Sequence, residues 1–185
     1  GPPPQDAGDL EWLRKDKMQT ISHHGSKNRQ FYDQCYLEGD VDFIFGSATA
    51  VFRNCEIFSK DRGQKVNGYI TAASTPESRE YGYVFMGCRL TGDAGPQSVY
   101  LGRPWRKYAK VAFLNCQMGS HIIGEGWNNW RDREREKTVA YVEYNNRGPG
   151  AKRQERVSWS RCLTPEEALK YQLEKIFPGN NSWYK

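Results

Sequence analysis

With 185 residues the chain has room for one domain with a sizeable core and is too short for two comfortable ones. A hydrophobic content of 37% beside 26% charged residues reads as soluble and globular, and no apolar stretch approaches the length of a membrane span. The net charge of +5 favours acidic partners, but lysine and arginine form no nucleic-acid stripe: Arg131-Asp132-Arg133-Glu134-Arg135-Glu136-Lys137 alternates in sign and reads as a solvated face.

In chain order, residues 1 to 17 read as a leader, loose over Gly1–Gly8 and then charged around Leu10, Trp12 and Leu13, a pattern that suits a short docked helix. Residues 18–185 form the single domain. From residue 31 a unit recurs: an aromatic, two variable residues, a cysteine, and an apolar residue two further on. Its copies are Phe31 to Leu37, Val51 to Ile57, Val84 to Leu90 and Ala112 to Met118, with the cysteines following one another after 20, 33 and 28 residues. Each interval is about one solenoid coil plus a variable insertion.

The unit alternates as a strand does and carries no helical period, which predicts an all-β fold, a single-stranded right-handed parallel β-helix in which each coil buries the same positions over the one before. Cys35, Cys55, Cys88 and Cys116 then read as small apolar side chains stacked in the core, not as disulfides or metal ligands. Asp61 to Gly68 and Thr75 to Tyr81 are insertions of the kind that builds a binding face. Tyr69 to Ala73 and Thr138 to Tyr144 read as further strands. Thr164-Pro165-Glu166-Glu167 is a capping box with proline at the first helical position, and Leu169, Leu173 and Ile176 share one face, so an amphipathic helix is expected over about 165–177.

Two stretches carry candidate chemistry. In Gly39-Asp40-Val41-Asp42-Phe43-Ile44-Phe45-Gly46, regular alternation would put Asp40 and Asp42 on one face, about 7 Å apart, in a run where a buried acid is costly. In Tyr100-Leu101-Gly102-Arg103-Pro104-Trp105, Pro104 stiffens the segment from which Arg103 and Trp105 project. An arginine bridging a carboxylate through two hydrogen bonds would hold it ionised and oriented.

These two stretches, with Arg29-Gln30-Phe31-Tyr32, Tyr69-Ile70-Thr71-Ala72 and Gly126-Trp127 in the same order, resemble the pectin methylesterase (pectinesterase) family from about residue 20 to the end. The resemblance implies a right-handed parallel β-helix that hydrolyses methyl esters of polygalacturonate (pectin), without metal or cofactor, in an extracellular or periplasmic setting, although no signal peptide starts the chain. By position, Asp42 matches the nucleophile that forms an acyl-enzyme anhydride, Arg103 the arginine that orients it, and Trp105 and Phe45 the aromatic walls of the substrate cleft.

Family members also carry Gln-Asp-Thr-Leu some twenty residues before the nucleophile, its glutamine stabilising the oxyanion and its aspartate serving as general acid and base. Here the matching stretch is Met18-Gln19-Thr20-Ile21. Allowing one deletion, Gln19 keeps the oxyanion role, and under either alignment the acid is missing, with Asp16 and Asp40 the nearest substitutes. Reduced activity is therefore expected, or a non-catalytic pectin-binding module. The family's first coils also have no counterpart in residues 1–17, so an open solenoid end is expected, and a monomer unless that end pairs with another chain.

Overall fold

The computed structural model describes residues 29–179 and Tyr184, together with the backbone of Thr20–Ser22. The leader, the helix expected over Asp9 to Lys17, and Gln19 lie outside the described residues.

In chain order the strands are β1 (Thr20–Ser22), β2 (Arg29–Asp33), β3 (Tyr36–Gly39), β4 (Val41–Gly46), β5 (Thr49–Arg53), β6 (Glu56–Ser59) and β7 (Gly68–Ala73). They continue as β8 (Tyr83–Met86), β9 (Arg89–Gly92), β10 (Val99–Gly102), β11 (Lys110–Leu114), β12 (Gln117–Met118), β13 (Ala140–Tyr144) and β14 (Arg161–Cys162). Successive strands move to successive sheets. The seven-stranded sheet runs β1-β2-β5-β8-β11-β13-β14, the four-stranded sheet β12-β9-β6-β3 and the three-stranded sheet β10-β7-β4. Every pairing is parallel except β1 on β2, which is antiparallel and covers the β2 edge. This is the expected parallel β-helix, wound in the right-handed sense that parallel crossovers take.

The recurring unit is the coil's corner. Its aromatic is the last residue but one of a strand of the large sheet, the next-but-one residue turns the chain, and the cysteine immediately precedes the strand that follows. The turning residues Gln34, Asn54, Gly87 and Asn115 all have φ between 53° and 63°, the left-handed region that asparagine and glycine enter most easily. Tyr32, Phe52, Phe85 and Phe113 pair in register and stack with ring centroids 5.0, 4.5 and 4.4 Å apart. The four cysteines of this column are buried, and three of their thiols donate to a carbonyl of the coil beneath: Cys55 to Tyr32, Cys88 to Phe52 and Cys116 to Phe85. Burial of this column pushes the Cys88 thiol well up, so these groups act as small core residues.

The large sheet is covered on both faces. Tyr32, Phe52, Phe85 and Phe113 face the interior, whereas Phe31, Val51, Val84, Ala112 and Val142 face outward and are covered by Leu163, Ile176, Phe177 and Tyr184. The C-terminal segment therefore docks on the solenoid's side. It departs from expectation in one respect: the helix predicted over 165–177 is two single turns, α1 (Pro165–Ala168) and α2 (Leu173–Ile176). The capping box forms as read, with Thr164 and Glu167 bonding each other's backbone N–H. The helix then breaks because the Lys170 carbonyl accepts the Tyr81 hydroxyl at 2.6 Å and Tyr171 packs edge-on against Tyr81, contacts a continuous helix would forgo. Leu169, read as part of the apolar face, is 56% exposed.

Candidate active site

The site lies on the outer face of the three-stranded sheet. There β4 departs from regular pairing: Val41 is opposite Tyr69 but Ile44 is opposite Thr71, so one extra residue is accommodated between them. Asp42 takes up the irregularity with φ of 54°. A non-glycine residue in this region stores backbone strain, about 1–3 kcal/mol, of a kind that clusters at functional sites. The bulge breaks the alternation on which the shared face of Asp40 and Asp42 rested. Asp40 instead accepts the Val41 N–H at 2.7 Å, and Asp42 turns to a different partner. Gly39 is required by the same fold-back, since a Cβ there would stand 2.3 Å from the Phe43 side chain.

That partner is Arg103. Its Nε donates to Asp42 Oδ1 at 2.9 Å and its Nη2 to Oδ2 at 2.5 Å, the two-pronged geometry expected from sequence. Asp42 is 5% exposed, and among the described residues Arg103 is the only donor to its carboxylate. Burial raises the Asp42 pKa, an effect that the Arg103 hydrogen bonds and charge oppose without cancelling. The carboxylate is thus more basic than an ordinary one, yet held in its charged form beside a fixed cation.

Arg103 follows β10 directly. Its N–H donates to Thr71 O and that of Trp105 to Ala73 O, both at 3.0 Å, so Pro104 sits between two used donors without forfeiting one. Gly102 lets β10 lie this close, because a Cβ would stand 2.1 Å from Thr71 Oγ1. The guanidinium is sandwiched, with Cζ 3.9 Å from the Tyr69 ring centroid on one face and 3.8 Å from Trp130 on the other. Tyr69 in turn stacks on Tyr100 at 5.3 Å.

Trp105 and Phe45, the expected cleft walls, do come together beside this pair, their centroids 6.2 Å apart in an edge-to-face contact over Ala72. They are 5% and 7% exposed, and the Arg106 guanidinium lies 4.9 Å above the Trp105 ring, so neither presents a free flat face. The half-buried aromatic surface is supplied by Tyr69, Tyr100 and Trp130, to which sequence reasoning gave no role. Trp130 had a legible signal in the asparagines before it. Asn128 Oδ1 accepts the Trp130 N–H at 2.8 Å and Asn129 Oδ1 the Arg131 N–H at 2.9 Å, two successive asparagine turns that hold both residues at φ of 58°.

The pectinesterase family profile matches residues 15–180. Two relatives from Arabidopsis thaliana are "Putative pectinesterase 11", 40% identical over 156 residues, and "Pectinesterase 31", 42% identical over 147. These alignments cover 84% and 79% of this chain but 42% and 44% of the relatives, so the chain spans less than half their length. Among solved structures, the pectin methylesterase from carrot superimposes with a TM-score of 0.73 at 31% identity, over 80% of this chain and 50% of that one. The enzyme from Yersinia enterocolitica gives 0.72 at 31%, over 83% and 54%. By its profile match, its relatives and its β-helix, the chain belongs to the pectinesterase family.

Proposed function

We propose that the chain carries the catalytic half of a pectin methylesterase, hydrolysing methyl esters of polygalacturonate to free carboxylate and methanol in an extracellular or periplasmic setting. The observation that carries this reading is the buried two-pronged Asp42–Arg103 pair, clamped between aromatic faces and set on a strained backbone position. One Asp42 oxygen attacks the ester carbon. The tetrahedral intermediate expels methoxide, which takes a proton and leaves as methanol, and the acyl group stays on Asp42 as an anhydride. Water then adds to that anhydride, releasing the galacturonate carboxylate and restoring Asp42. Raised basicity favours the attack, and Arg103 keeps the attacking carboxylate charged. Gln19 would donate to the oxyanion.

The proton for methoxide is the weak point. Met18-Gln19 stands where the family has its acid, and the Asp40 carboxylate is engaged with the Val41 N–H. In this reading the proton comes from solvent, and turnover is lowered by about a hundredfold to ten-thousandfold. The same feature favours a second reading, in which the chain binds pectin without turning it over. The test is methanol release from methylated pectin by the chain and by its Met18→Gln, Gln19→Asp variant. A gain of about a hundredfold or more supports the esterase reading, and release from neither protein supports the binding module.

A further inference from the structure

Residues 128–138 form a strap that runs beside the segment carrying Arg103, and its contacts follow that segment in order. The Asn128 N–H donates to Gly102 O at 3.0 Å, and the Trp130 ring covers Arg103. The Arg135 guanidinium then donates to the Pro104 carbonyl, and the Thr138 hydroxyl to the Lys107 carbonyl. The strap is also closed on itself. Asn129 Nδ2 donates to Glu136 Oε2 at 2.8 Å, while Asp132 accepts the Glu134 N–H to cap the 3₁₀ turn Arg133–Lys137 and pairs with Arg135 at 3.3 Å.

Arg135 is the joint between strap and segment. Pro104 is buried, and among the described residues Arg135 is the only donor to its carbonyl. The Pro104–Trp105 peptide is trans, so its N–H and its carbonyl point in opposite directions, the N–H to Ala73 O of β7 and the carbonyl to Arg135. The backbone just past Arg103 is therefore gripped between the sheet and the strap. The Arg103 side chain has no comparable tie of its own: its donors go to Asp42, and ring faces hold the rest, so its aim depends on where its backbone stands.

We infer that Arg135 is a positioning residue for the esterase reaction: by holding the Pro104 carbonyl it fixes the backbone from which Arg103 reaches Asp42. The inference rests on the esterase reading for the chemistry that the pair performs. Arg135 acts through the segment and not through its charge. Among the described residues Arg103 is the only charge that acts on Asp42, so a change at Asp42 on removing Arg135 has to pass through Arg103.

The test compares the parent chain with Arg135→Gln, with Arg135→Lys, and with Arg133→Gln, which removes the same charge from an exposed residue of the same turn. Two quantities are read: the pH profile of methanol release, and the titration of the Asp42 carboxyl carbon by NMR, its signal identified with Asp42→Asn. Arg135→Gln should lower kcat roughly ten- to a hundredfold with KM little changed. Because Arg103 then holds the carboxylate less well, the Asp42 titration and the acid limb of the profile should both move to higher pH. Lysine can still donate to the Pro104 carbonyl, so Arg135→Lys should recover most of the rate and the parent titration. Arg133→Gln should match the parent. A parent-like Asp42 titration in Arg135→Gln would overturn the inference, and so would an equal shift in Arg133→Gln, which would reduce the effect to net charge. If Arg135→Gln does not fold, Asn129→Ala takes its place: it frees Glu136 and unlatches the strap, with the same expected direction and the same overturning result. The esterase reading fails separately. A shifted titration with no methanol release from any of the proteins leaves Arg135 standing and removes the esterase, and methanol release with an unmoved titration does the reverse.

Discussion

Among the described residues, two arginine–carboxylate pairs with a buried carboxylate have opposite character. Arg156 and Glu143 have side chains 1% and 5% exposed, and their contacts are saturated. Arg156 donates to both Glu143 oxygens, to Gly124 O at 3.0 Å and to Gly150 O at 2.7 Å, and Glu143 also receives Arg153 and Asn146. Arg103 is 18% exposed, spends its donors on Asp42 alone among the described residues, and is otherwise held by ring faces. A salt bridge with every lone pair occupied ties coils together and can do little else. One whose carboxylate keeps acceptor capacity, on a strained residue at the surface of a sheet, is available for chemistry.

The largest effect expected from this contrast is on stability. Arg156→Ala strands Glu143 in the interior and should cost about 3–5 kcal/mol in urea unfolding. A loss near that of an exposed pair, below about 1 kcal/mol, would show that the node is not the tie it looks to be.

Arg103→Gln should act on rate, and because it leaves the buried Asp42 carboxylate without its cation it should lower stability as well. Removing the positioning charge should lower methanol release by about a hundredfold to a thousandfold. It should also move the acid limb of the pH–rate profile. In the proposed reaction the attacking form is the carboxylate, so activity should fall as pH drops through the Asp42 pKa, which burial already sets above the ordinary carboxylate value. Arg103 lowers that pKa, so its loss must shift the limb to higher pH. The sign for stability is the reverse. A folded pKa above the unfolded one means that Asp42 favours the folded state in acid and that this contribution is lost as pH rises through the folded value. An unmoved limb would assign the profile to another group.

The smallest effect belongs to Trp130. With Trp130→Ala, one face of the Arg103 sandwich opens, worth about 0.5–2 kcal/mol, which should appear in kcat as a loss of roughly two- to thirtyfold with stability little changed. A change confined to KM would make Trp130 a contact for the sugar and not a brace for Arg103.

The repeat was legible because the fold is periodic: each coil needs an aromatic and a cysteine at one corner, so Phe52, Phe85 and Phe113 announce the ladder in sequence. The Asp42–Arg103 pairing was legible through the resemblance. The local details were not, because each depends on a register or a tertiary contact. The bulge that separates Asp40 from Asp42 is visible only against β7. The break between α1 and α2 depends on Tyr81, 89 residues from its Lys170 partner. Trp130 is set by asparagine turns whose target, Arg103, is 27 positions earlier in the chain.

In the proposed reaction Asp42 is the nucleophile. That role is tested by methanol release from methylated pectin by the parent chain and by Asp42→Asn, a variant of nearly the same shape whose folding is verified by circular dichroism. The expected result is slow release from the parent, and from the variant a drop of at least about ten-thousandfold, to background. Equal release from both proteins would contradict it.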